Sequence, residues 1–265
     1  MCCTRSTRSP RPNTIRRPSY KSSRRRAMKI EFLYPELVTL YGENGNREFL
    51  RKNLPDAEFV STSLDMAPAF ITGTVDLVYI GSMIDNYFGL AIEALRPYKE
   101  SLKTYIDSGK VFLATGNAMD LFGKYIQFKD KRVEGLGLFD YYSVEDTSFR
   151  HNSWFLGKFE GIKITAFRST FTRQFGSDAD PFIKVLGGSG RNDKSKVEGA
   201  RLNNFYATSL LGPFLIINPP FAHYLLGLLG ADKPLCFEET AVKAYQHRLA
   251  WMEEPDARFV MGALG

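Results

Sequence analysis

Between residues 29 and 122, short compact apolar runs alternate with longer stretches whose apolar residues recur at helical spacing. Ile30 to Tyr34 and Ala57 to Ser63 read as strands. Val75 to Ile80 and Val111 to Ala114 are apolar throughout, the pattern of strands buried on both faces of a parallel sheet. Asn44 or Asn46 offers a cap for a helix beginning near Arg47 and running to Asn53. Ala91 to Ile106 has helical period, with Ile92, Leu95, Leu102 and Tyr105 toward a core. Pro97 inside it predicts a kink or two consecutive helices. After Val111–Ala114, the Thr115-Gly116-Asn117 turn leads into a helical stretch from Ala118 to Phe122. This grammar predicts an α/β fold with a mainly parallel sheet covered by helices on both faces.

The pattern changes past residue 123. Gly161 to Phe167, Phe182 to Leu186 and Leu202 to Ser209 read as strands separated by glycines, which predicts an antiparallel, strand-rich second half. A helix from Glu239 to Met252 closes the chain. No linker-like stretch separates the halves, so residues 28–265 read as one domain.

The first 27 residues stand apart. They carry eight Arg, one Lys and no acid, without an apolar period. Such a segment reads as disordered. It suits a transit peptide, a nucleic-acid-binding or anion-binding tail, or an upstream extension with Met28 as the start. The position of Met28 directly before the first strand favours the extension. Removing those nine residues from the basic count leaves 26 basic against 29 acidic, so the formal charge of +6 belongs to the tail. Residues 28–265 therefore give no charge-based reason to expect nucleic acid. No apolar run is long enough for a membrane span. Three cysteines without a CxxC spacing argue against zinc and a disulfide framework, and a reducing cytoplasm fits best. Cys236 reads as a small buried hydrophobe on a loop before the last helix.

Four stretches together carry a family resemblance. They are Tyr34-Pro-Glu-Leu-Val-Thr-Leu-Tyr-Gly-Glu-Asn-Gly-Asn46, Asp76 to Asp85, Leu113-Ala-Thr-Gly-Asn-Ala-Met-Asp-Leu-Phe-Gly123, and Glu198-Gly199 through Leu215 to Asn218-Pro219. In order and spacing they resemble class I glutamine amidotransferase domains of the cobyric acid synthase type. They are most similar to the GatD branch, the glutaminase subunits of lipid II isoglutaminyl synthases. The resemblance implies a flavodoxin-like fold, no cofactor, no metal and a Mur-ligase-like synthetase partner that receives ammonia. It also implies a Cys nucleophile and a His base.

In this register neither is present. Gly116 stands at the nucleophile position and Leu211 at the base position. Ala166-Phe-Arg-Ser-Thr170 stands where the family has a Gly-Phe-Glu-Asn-His-like segment. The expectation is a degenerate glutaminase subunit that keeps the fold and a partner. Two alternatives stand beside it. One is an amino-acid-binding module using the vacated pocket, with Gly81, Ser82 and Asn117 as ligand-binding positions. The other is an active glutaminase with a relocated nucleophile. Asp85, Asp120 and Glu198 read as helix-cap or surface carboxylates, His151 as an exposed loop residue, and Gly187-Gly-Ser-Gly190 as a turn between strands rather than a phosphate loop.

Overall fold

A computed structural model describes residues 26–259. The reading of the basic tail therefore lies outside the described residues, except at its end. There Arg26 Nη2 donates to both carboxylate oxygens of Asp76, at 2.8 and 2.9 Å.

The first half builds a parallel sheet. β1 (Lys29–Leu33) leads to α1 (Glu43–Asn53), β2 (Glu58–Thr62) and β3 (Leu77–Ile80). Then come α2 (Phe88–Leu95), α3 (Lys99–Asp107) and β4 (Val111–Ala114). A short 3₁₀ segment, Arg96–Tyr98, contains Pro97 and separates α2 from α3, so the proline divides the expected helix in two. A second 3₁₀ segment, Gly116–Phe122, follows β4 directly.

Why β3 and β4 are apolar at every position is visible in the packing. Leu77, Tyr79, Val111 and Leu113 face one layer, with α1 and the C-terminal helices. Val78, Ile80, Phe112 and Ala114 face the other, with α2 and α3. Successive side chains of a strand point to opposite faces, so a sheet with two cores needs apolar residues at both parities.

The second half supplies β5 (Tyr125–Gln127), β6 (Arg132–Glu134), β7 (Tyr141–Glu145), β8 (His151–Phe159), β9 (Ile162–Thr170), β10 (Thr172–Gly176), β11 (Ile183–Gly187) and β12 (Val197–Glu198). These form two four-stranded sheets, in the orders β10-β7-β5-β6 and β12-β11-β8-β9. The β8–β9 hairpin pairs antiparallel from His151↔Thr170 to Phe159↔Ile162. His151 thus opens a strand and is half-buried, rather than exposed in a loop.

The chain then returns to the main sheet through β13 (Ala200–Leu202) and β14 (Phe205–Ala207). The single strand expected over 202–209 is instead the second arm of a hairpin that turns at Asn203, where φ is +53°. The main sheet has the order β13-β14-β4-β3-β1-β2. Its five parallel strands, taken in chain order, run 2-1-3-4-5, the flavodoxin-like arrangement. Helices α4 (Phe214–Ile217), α5 (Pro219–Leu228) and α6 (Glu238–Met252) complete the structure. No helix among the described residues is long and apolar enough to cross a membrane.

Candidate functional site

Ligand sites in such sheets lie beyond the carboxyl ends of the strands, near the switch point between β1 and β3. Here that place is occupied by Gly81-Ser82-Met83 after β3, Thr115-Gly116-Asn117 after β4, the start of α1, and the Thr208–Leu211 loop after β14. The Gly116 N–H donates to Leu210 O at 3.1 Å, and the Leu211 N–H to Phe167 O at 2.8 Å. These bonds bring the elbow, the Leu211 loop and β9 together. Gly116 has φ +61°, the left-handed conformation of a sharp strand-to-helix turn.

Gly116 and Leu211 are neighbours. A Cβ placed on Gly116 would lie 3.1 Å from Leu211 Cδ2 and would overlap Ser82 Oγ. Ser82 is fully buried and Leu211 nearly so. The space that a side chain at 116 would enter is therefore filled by the Ser82 hydroxyl. The pocket expected to be vacated is packed.

Beneath Ser82 is a buried polar cluster. Glu43, at the first position of α1, accepts hydrogen bonds from Thr115 Oγ1 (2.8 Å), Asn46 Nδ2 (3.0 Å), Ser82 Oγ (3.2 Å) and the Tyr79 hydroxyl. Asn46 Nδ2 also donates to Tyr79 Oη at 2.9 Å, and Asn46 Oδ1 accepts from the Leu215 N–H at 3.0 Å. Neither Asn44 nor Asn46 caps α1. The helix starts four residues earlier than expected, with Gly42 at its N-cap, because Glu43 and Asn46 turn inward. Gly81 lets the cluster close. A Cβ there would meet Glu43 Oε2 and lie 2.7 Å from Tyr79 Oη.

No cation faces Glu43 within salt-bridge distance among the described residues. Burial pushes its carboxyl above the usual range, against the opposing effect of its four donors. Burial beside Glu43 likewise pushes the Tyr79 phenol up. A raised carboxyl holds its proton longer in the folded chain than in the unfolded one. Its stabilising contribution is complete below the unfolded pKa and is lost as pH rises through the folded value. Glu43→Gln removes this titration. Thermal melts of the two proteins across acid to neutral pH should show the wild type losing stability relative to the variant as pH rises. The slope for one group is at most about 1.4 kcal/mol per pH unit. A difference independent of pH would contradict the assignment.

Asn117 closes the remaining side. Its amide donates to Met83 O at 2.7 Å and Asp85 Oδ1 at 2.6 Å, while its Oδ1 accepts from the Met83 N–H at 3.0 Å. Gly81 and Ser82 are thus brought beside Asn117, and the side chains of Ser82 and Asn117 are both engaged with protein groups. Burial raises the Asp85 carboxyl, opposed by Asn117 and by the charge of Arg150.

The other carboxylates are not surface groups. Asp120 is buried and accepts from Ser143 (2.5 Å), Thr172 (2.6 Å) and Gln174 (2.8 Å). Glu198 is fully buried against Arg168 at 3.1 Å, and accepts from Thr208 Oγ1, Ser209 Oγ and the Ser209 N–H. Arg168 also donates to the carbonyls of Ser189 and Gly190. The glycine-rich turn therefore offers carbonyls to a cation here, as a structural turn does. Among the described residues no group of three His, Cys, Asp or Glu is placed to hold a metal.

Cys236 is not the buried hydrophobe expected. Its thiol is exposed, with Sγ 3.3 Å from Lys52 O, on the α1–α6 side. His223 is hydrogen-bonded to Glu238 Oε1 at 2.7 Å.

Glu43, Tyr79 and Thr115 were assigned no role from the sequence. The available signal was the pair Glu43 and Asn46 at i, i+3 on the first turn of α1, which puts two polar side chains on one face.

No family model matches the chain. It is 30% identical over 214 residues to the lipid II isoglutaminyl synthase (glutamine-hydrolyzing) subunit GatD of Staphylococcus aureus, covering 80% of this chain and 88% of that protein. It is 28% identical over 210 residues to the subunit of the same name from Streptococcus pneumoniae, covering 75% and 79%. A solved glutamine amidotransferase structure superposes with a TM-score of 0.49 at 13% identity, covering 76% of this chain and 98% of that one.

Proposed function

The chain belongs to the GatD family of lipid II isoglutaminyl synthase subunits, and from that premise we propose that it is a degenerate glutaminase subunit, silent on glutamine, that serves a synthetase partner. The observation that carries the reading is the packing at Gly116, where the space for a side chain is taken by the Ser82 hydroxyl and bordered by Leu211. Glutamine hydrolysis by this family's chemistry needs a thiolate to attack the amide and a base to move the proton. Neither glycine nor leucine does either, and no other Cys or His side chain is among the hydrogen-bonded groups around Gly116. The partner is a Mur-ligase-like, amide-forming enzyme, which this subunit holds or regulates while it uses free ammonia. The reading places both proteins in the reducing cytoplasm, and the exposed free thiol of Cys236 is compatible with that.

The packed elbow gives less support to the amino-acid-binding alternative. The test is ammonia release from glutamine by the purified chain, alone and with any synthetase that co-purifies. Loss of a nucleophile and base that act as a unit lowers turnover on the order of 10⁶-fold, so release should stay at background. In the same assay the synthetase should form its amide with added ammonium salt and not with glutamine. Glutamine-dependent release that disappears in Cys236→Ala would replace this reading with the relocated nucleophile.

A further inference from the structure

A cavity of about 410 Å³ opens between α1, α4 and α6, on walls formed mainly by Phe49, Ile216, Ile217, Phe237, Ala241 and Ala244. That volume lies within the range of small-molecule sites, about 300–1,000 Å³. None of its lining residues is Gly116, Ser82 or Leu211, so binding in this cavity is independent of the state of the elbow.

One charged group in the wall is unbalanced. Arg248 donates from Nε to Thr165 Oγ1 at 2.9 Å and from Nη2 to Ile217 O at 2.8 Å. Both acceptors are neutral. Among the described residues no carboxylate lies within ion-pair distance of Arg248, and its Nη1 has no hydrogen-bond partner. Burial disfavours its charged form. An arginine nonetheless stays protonated, so a half-buried, uncompensated guanidinium remains beside an apolar cavity. Lys52 adds a second positive charge to the wall. The acidic residue there, Glu48, is already paired with Arg51 at 2.6 Å.

The lip carries a second anomaly. Phe237 is 78% exposed and has φ +58°, a conformation that bulky residues rarely hold. The ring packs no core, yet it stands at the mouth of an apolar cavity.

We propose that this cavity binds a small amphipathic carboxylate, with its apolar body between α1 and α6 and its carboxylate against Arg248. Apolar walls with a small number of placed polar groups are the ordinary composition of such sites. Guanidinium and carboxylate match in charge and geometry. Phe237 covers the bound body, and Cys236, on the same wall, reports occupancy.

The test uses the full chain with octanoate, octylamine and octanol as probes. Occupancy is read from melting temperature and from iodoacetamide labelling of Cys236, mapped by mass spectrometry. Millimolar octanoate should raise the melting temperature and slow Cys236 labelling several-fold, and octylamine should do neither. Arg248→Gln should weaken octanoate roughly tenfold, as loss of one charge-assisted hydrogen bond implies, and leave octanol unchanged. Ala244→Trp, which fills the cavity, should abolish protection by both. The proposal fails if octanoate protects no better than octylamine, or if Arg248→Gln binds octanoate as well as the wild type. Should Arg248→Gln not fold, the wild-type comparison of octanoate with octylamine and the Ala244→Trp variant decide the matter.

Discussion

Gly116→Cys combined with Leu211→His will not release ammonia from glutamine until Ser82→Gly is added. Installing a cysteine and a histidine leaves the space at position 116 occupied. A side chain at 116 enters the volume held by Ser82 Oγ. Forcing both into it costs about 1–3 kcal/mol as overpacking. The left-handed backbone at 116 adds roughly 1–3 kcal/mol for any residue other than glycine. The double variant should therefore melt well below the wild type and stay silent. Ser82→Gly opens the volume, and the triple variant should regain part of the lost stability together with measurable ammonia release. Thermal melts and a coupled ammonia assay read both effects. A double variant as active as the triple would mean that Ser82 does not block the site. A folded, silent triple variant would count against Leu211 as the base position.

The second large effect lies in the ion pair between β9 and β12. Glu198→Ala should destabilise the chain by about 3–5 kcal/mol, the usual result of stranding one member of a buried pair. Arg168 would keep its contacts to the Ser189 and Gly190 carbonyls and lose its counter-charge, with Nε already unpartnered among the described residues. Thr208 Oγ1 and both donors of Ser209 would lose their acceptor. For a chain of this size each kcal/mol moves the melting temperature by roughly 2–4 °C, so the shift is large enough for a simple thermal scan. Removing both charges with Arg168→Met and Glu198→Leu should cost less than Glu198→Ala alone. A Glu198→Ala melt within a degree or two of wild type would refute the assignment.

The features legible beforehand divide from the rest on physical grounds. β3 and β4 were legible because a strand with a core on each face must be apolar at every position. α2 and α3 were legible from their helical period and from Pro97. Gly116 and Leu211 were singled out from motif spacing alone, and the fold sets them side by side. Other features depend on meetings between distant segments. Ser82 fills the elbow only because the loop after β3 abuts the turn after β4. Glu43 and Asn46 look like solvated helix-start residues until Tyr79 and Thr115 arrive from two strands. The β13–β14 hairpin was read as one strand because its turn, at Asn203-Asn204, is made with a left-handed backbone at Asn203 and no glycine. Cys236 was misread because its exposure depends on how the loop before α6 lies against Lys52 and Asn53.

The strand order decides what the two rims of the main sheet can accept. A sheet can recruit a partner by adding a strand to an open rim, provided the rim is long and bare. Here one rim is β13, three residues long and antiparallel to its neighbour, with Arg201 tied to Glu160. The other rim is β2, with Glu58 exposed and paired to Lys29 and with Ser61 also exposed. Short rims bearing charged side chains are poor templates for a further strand. Strand addition to the main sheet is therefore disfavoured at both of its rims. At its carboxyl ends the sheet instead presents side chains, with Tyr41, Ile84, Tyr87 and Phe149 exposed.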